Sequence, residues 1–117
     1  KKSIMKHLYL YLLLLLSVVT GYSQYKDGIS VVQFSAEFVK DREISLKKFN
    51  DHNCYTYYLS KHDKYFKKEK IVYIPTVILF YNGEKILKIE SGVTLKLPEN
   101  TSTKIENAID EILADKF

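Results

Sequence analysis

The sequence predicts an α/β domain on a four-stranded mixed sheet with helices on both faces, and three observations carry that prediction. Residues 29–36 form a β-branched and aromatic run with no helical period, as a strand buried on both faces requires. Asn82-Gly83, flanked by two strand-like runs, is the strongest short signal for a hairpin. Ile105, Ala108, Ile109, Ile112 and Leu113 recur at helical spacing and make one apolar face of an α-helix.

The chain has 117 residues, and residues 1–23 read as an export signal: Lys1, Lys2 and Lys6, a leucine-rich core over 8–19, then Gly21-Tyr22-Ser23. The apolar core is short of the roughly 20 residues that span a membrane. Gly21 and Ser23 suit the small-residue positions of a signal-peptidase site, so the expected mature domain is 24–117, exported to the periplasm or secreted after cleavage near Ser23. The 18 basic and 14 acidic residues become 15 and 14 once Lys1, Lys2 and Lys6 are set aside, a net charge of +1. So nearly neutral a domain carries no electrostatic footprint for nucleic acid. Cys54 is the only cysteine, so the chain cannot form an internal disulfide.

Residues 24–30 are a polar lead with the turn cluster Lys26-Asp27-Gly28. After the strand at 29–36, Ile44, Leu46 and Phe49 among charges predict a short helix from 41 or 42 to 50. Residues 54–59 have strong β propensity and are bounded by polar residues, which makes them the second strand. Tyr65 and Phe66 among lysines predict an amphipathic helix over 61–70, and Pro75 forces extended backbone at Ile74. Strands at 76–81 and 84–90 flank Asn82-Gly83. The last helix is expected from Thr103, with Thr103 and Glu106 as a capping box. A right-handed βαβ unit followed by a hairpin predicts the spatial order second, first, third, fourth strand.

Ile74-Pro75-Thr76, the apolar run 77–81, Asn82-Gly83-Glu84 and a second strand, all following a polar helix, resemble the thioredoxin family. The resemblance covers nearly all of 24–117. It implies a minimal thioredoxin fold, a cis bond before Pro75, and Gly92 facing the proline loop. It also implies that the backbone of Ile74 meets an extended substrate, in a groove formed by Phe38, Val39, Ile74, Pro75, Thr76, Gly92 and Val93.

The departures from the family fall in its redox machinery. Val39 stands at the position of the nucleophilic cysteine and Arg42 at that of the resolving one, Gln33 replaces the buried aspartate, and Phe38 replaces the tryptophan before the motif. A Cys-x-x-Cys pair works through a thiolate of lowered pKa that a second thiol then resolves. Without it, the resemblance implies an exported domain that has no dithiol redox activity, needs no cofactor, is not an enzyme, and binds a peptide or protein partner. The competing expectation is a thiol-disulfide oxidoreductase acting through Cys54 alone. The short lead at 24–30 cannot supply the family's extra first strand and helix, so 54–59 is expected to be a sheet edge, open to a homodimer.

Other candidates have plainer readings. Cys54 at a strand start reads as a small buried hydrophobe. His52 and His62 lack metal-ligand spacing, so no metal is expected and both are assigned to solvent. Lys61, Lys64, Lys67, Lys68 and Lys70 read as a solvated helix face. Tyr55, Tyr57 and Tyr58 serve packing or an adhesive edge.

Overall fold

The computed structural model describes residues 24–116, so the expected signal at 1–23 and its cleavage near Ser23 lie outside the described residues. Four strands, β1 (Ile29–Ser35), β2 (Asn53–Tyr58), β3 (Thr76–Tyr81) and β4 (Glu84–Glu90), form one sheet in the order β2-β1-β3-β4. β1 runs parallel to β2 and antiparallel to β3, and β3 runs antiparallel to β4. Two α-helices, α1 (Leu59–Lys68) and α2 (Thr101–Lys116), accompany four short 3-10 turns: η1 (Gln24–Lys26), η2 (Glu37–Arg42), η3 (Lys47–Phe49) and η4 (Gly92–Thr94). None of the described helices is long and apolar enough to cross a membrane.

Alternation along the central strands builds two cores. Val31, Val77, Leu79 and Ile89 point to one face, where Ile105 and Ile109 of α2, Phe49 and Leu97 cover them. Val32, Phe34, Ile78 and Phe80 point to the other, covered by Phe66 of α1 and by Tyr25. β1 is buried on both faces because one helix lies on each side of the sheet.

The expected helix over 41–50 is absent, and η2 and η3 stand in its place with extended backbone at Glu43 between them. Gln33, buried in β1, accounts for this. Its side-chain amide accepts a hydrogen bond from the Ile44 N–H (2.9 Å) and donates one to the Ile44 carbonyl (3.1 Å), which takes both backbone groups of Ile44 away from any helix. Ser35 donates to the Glu43 carboxylate (2.9 Å) and holds the same segment from the next position of β1 but one.

α1 starts directly at the end of β2 and carries a kink at His62. It stops in a Schellman arrangement, with Lys70 at φ +54° and the Ile71 N–H donating to the Phe66 carbonyl at 2.9 Å. α2 begins at Thr101, two residues ahead of expectation, and Thr103 lies inside it rather than at its cap. The start is set by the turn before it, where the Thr101 N–H and hydroxyl both donate to the Pro98 carbonyl (3.1 and 2.6 Å).

At the hairpin, Asn82 and Gly83 both have positive φ, as a two-residue turn matching the strand twist demands. Their N–H groups donate to the carbonyls of Gly28 and Lys26 (both 2.9 Å), so the polar lead is fastened across the end of the sheet.

Candidate functional site

Three segments at one end of the sheet are held together around Pro75. The Ile74–Pro75 bond is cis, and the Thr76 hydroxyl donates to the Tyr73 carbonyl at 2.6 Å, which closes the turn into β3. The Ser91 N–H, just past β4, donates to the Pro75 carbonyl at 3.1 Å. Gly92 follows at φ +74°, a conformation open to glycine at little cost, and starts η4. From the third segment, the Arg42 guanidinium donates to the Thr94 carbonyl at 2.9 Å, tying η2 to η4. The 91–94 loop is therefore fixed from both sides.

The residues expected in the groove divide into two layers. Phe38 and Val93 are 70% and 86% exposed, and Ile74 and Gly92 are half-buried; these four can present a surface. Val39, Pro75 and Thr76 are buried and support it from beneath. Val39 is thus not a lining residue: the 3-10 winding of η2 turns its side chain into the core while leaving Phe38 in solvent. Val72, 74% exposed, and Tyr73 lead into Pro75 and add apolar surface beside it. A cavity of about 380 Å³ there is lined by Leu59, Phe66, Ile71, Val72 and Ile74 with the stems of Lys67 and Lys70. The sequence signal for Val72 and Tyr73 was available, since apolar residues between a helix and a strand belong to neither element's core.

The cluster holds no thiol, and its hydroxyls donate to neighbouring carbonyls: Thr76 to Tyr73, Ser91 to Gly92 and Thr94 to Ser91. Val39 offers only methyl groups, and Arg42 at the expected resolving position is a structural tie. Cys54 lies elsewhere, on β2, packed against the core that α2 covers. Its thiol donates to the Phe49 carbonyl (3.1 Å) and faces that of Leu46 (3.8 Å), and burial pushes its pKa up. Both effects favour the thiol over the thiolate. Among the described residues no three His, Cys, Asp or Glu side chains gather to hold a metal ion.

His62 corrects its expected place in solvent. It stacks on Tyr65 (centroids 5.4 Å apart, planes 9° apart), leans on Tyr57 (4.7 Å), and its Nδ1 is buried without a hydrogen-bond partner. The kink of α1 at His62 turns the ring back onto β2, which periodicity cannot foresee.

Solved structures share this architecture. A thioredoxin from Malassezia sympodialis is 19% identical over 74% of this chain and 82% of its own, with a TM-score of 0.57. A thioredoxin pre-protein from Schistosoma mansoni in its reduced form is 21% identical over 81% and 89%, with a TM-score of 0.53. A designed protein matches at 18% identity over 84% and 86%, with a TM-score of 0.54. No family model and no curated protein matches the sequence. The fold is thioredoxin-like, and the single cysteine leaves it without a Cys-x-x-Cys pair.

Proposed function

We propose that this thioredoxin-like chain is an exported binding domain, which captures an extended peptide or protein segment at the loops around Pro75 and performs no dithiol chemistry. The observation that supports this reading is the pairing of a fixed framework with apolar exposure. Ser91 to Pro75 and Arg42 to Thr94 hold the loops in place, while Phe38, Val72 and Val93 face water. Apolar side chains on rigid loops lose little entropy on docking, which favours affinity. An extended segment beside Ile74 would use backbone hydrogen bonds for strength and these side chains for selection.

The test is fluorescence anisotropy with a panel of labelled unstructured peptides. Binding is expected, with a loss of at least tenfold in affinity for Phe38→Asp or Val93→Asp, two exposed positions where the fold tolerates change. Absence of binding across the panel, or binding indifferent to both substitutions, would remove the reading. Disulfide reduction with a dithiol donor is expected to show no turnover by the protein or by Cys54→Ser. Turnover lost in Cys54→Ser would put a monothiol oxidoreductase in its place. Export rests on the pattern of residues 1–23, and N-terminal sequencing of the chain recovered outside the cytoplasm should begin at Gln24.

A further inference from the structure

Leu59, Phe66, Ile71, Val72 and Ile74 make an apolar floor for the cavity between α1 and the segment that leads into Pro75. A concave apolar floor gains from receiving an apolar side chain. The rim carries charge of one sign. Lys67 and Lys70 complete the lining, and Lys88 reaches across from β4 to donate to the Lys70 carbonyl at 3.5 Å. Lys88 pairs in register with Ile78, which packs in the core that α1 covers, so it stands on the same face of the sheet as the cavity. Among the described residues none of these three ammonium groups is paired with a carboxylate. Glu69, between Lys67 and Lys70 in sequence, is buried and already engaged by Tyr25 and Lys26. No acidic side chain lines the cavity.

We propose that this cavity takes one apolar side chain from an extended segment whose carboxylates lie two residues to either side of it, so that the domain selects acidic-apolar chains over basic ones.

The proposal rests on the reading that an extended segment docks beside Ile74, which lines the cavity and precedes Pro75. In an extended chain alternate side chains point the same way, roughly 6.5–7 Å apart. A residue seated in the cavity therefore brings the residues two before and two after it toward the rim, where the lysines stand. Lysine stems are apolar along their length and charged at the tip, so they can cover the seated side chain and still meet a carboxylate. A flat anionic surface would meet the lysines and leave the apolar floor unfilled, which favours a single chain as the occupant.

Fluorescence anisotropy tests this on the full chain with four labelled peptides, whose cores are Glu-Gly-Leu-Gly-Glu, Gln-Gly-Leu-Gly-Gln, Lys-Gly-Leu-Gly-Lys and Glu-Gly-Ser-Gly-Glu. The first should bind about three- to tenfold more tightly than the second, as two water-accessible ion pairs allow, and the third should bind more weakly still. The serine core should lose at least about tenfold against the leucine core. High salt should erase the preference for glutamate but keep the preference for leucine. Lys67→Glu with Lys88→Glu should turn the preference toward the lysine peptide, and the milder Lys67→Gln with Lys88→Gln should abolish it. Lys104→Glu, exposed on α2 against the other face, should change neither. Equal binding of the first three peptides would overturn the proposal and leave the docking of extended segments standing. A serine core as good as leucine, or a preference lost equally in Lys104→Glu, would also overturn it, since the lysines would then act without the cavity. Binding of none of the peptides would remove both readings. Sedimentation with phosphatidylglycerol vesicles, without discrimination among peptides, would assign the lysines to a membrane surface instead.

Discussion

Gln33 and Ile44 exchange two hydrogen bonds, side-chain amide to main chain, and thereby hold the β1–β2 crossover open where a helix would otherwise form. Gln33→Leu keeps the buried volume but strands both backbone groups of Ile44. Each unmet group costs about 1–3 kcal/mol, so a loss of about 2–4 kcal/mol is expected in chemical denaturation. Gln33→Asp should be nearly as harmful, since a carboxylate has no N–H to donate. A loss below about 1 kcal/mol for Gln33→Leu would show that water replaces the clamp.

Tyr25, Lys26 and Glu69 form a second fixed point, on the opposite face. The Tyr25 hydroxyl donates to Glu69 at 2.7 Å, and the Lys26 ammonium lies 2.9 Å from the same carboxylate. Burial alone would raise the Glu69 pKa, but hydrogen bonds from Lys26 and Tyr25, with the charges of Lys26 and Lys85, hold it below its ordinary 4.5. A depressed carboxylate contributes stability that is complete above the unfolded value and is lost as pH falls through the folded one. Tyr25 is shifted upward, first by burial and then by Glu69, and burial with the neighbouring Tyr65 and Tyr55 pushes Tyr57 up to about 12. Above pH 10 the unfolded tyrosines ionise first, so stability falls there too. Melting temperatures should therefore decline on both sides of a plateau from about pH 5 to 9, and Glu69→Gln should flatten the acid side. An acid limb unchanged by Glu69→Gln would refute this assignment.

What the sequence made legible tracks the range of the forces involved. β3 and β4 match their expected bounds because local alternation and an Asn-Gly turn define them, and the strand order follows from chain connectivity and handedness. The crossover was misjudged because its conformation depends on a hydrogen bond between residues eleven apart, invisible to any helical window. Thr103 looked like a cap because its spacing to Glu106 is correct, yet the Pro98 turn outranks it two residues earlier. Around Pro75 the sequence placed the right segments together, but it could not tell Phe38, in solvent, from Val39, in the core. That distinction depends on the phase of a six-residue turn.

Lys70 closes α1 with φ +54° in the position where helices favour glycine. A side chain in the left-handed region carries a steric cost that glycine escapes, and Lys70 is exposed, so its side chain supports no core. Lys70→Gly should stabilise the domain by up to about 1 kcal/mol. Lys70→Val, branched at Cβ, should destabilise by a similar amount. Thermal denaturation of the pair checks the sign, and a destabilising glycine would mean that the unfolded-state entropy outweighs the relief of strain.

Arg42 stands where a resolving cysteine is expected, and its bond to the Thr94 carbonyl crosses exposed surface. An exposed hydrogen bond adds little to global stability, so Arg42→Ala should lower it by less than about 1 kcal/mol. Its effect should concentrate on the 91–94 loop, which would then be held only through Ser91 and Pro75. If the surface around Pro75 binds extended chains, a looser loop must be ordered at each encounter, and peptide affinity should fall about three- to tenfold while the melting temperature barely moves. Arg42→Lys, which keeps the charge but not the reach or planarity of the guanidinium, should fall between the two. Equal affinity in all three proteins would show that η2 and the 91–94 loop do not act as one surface.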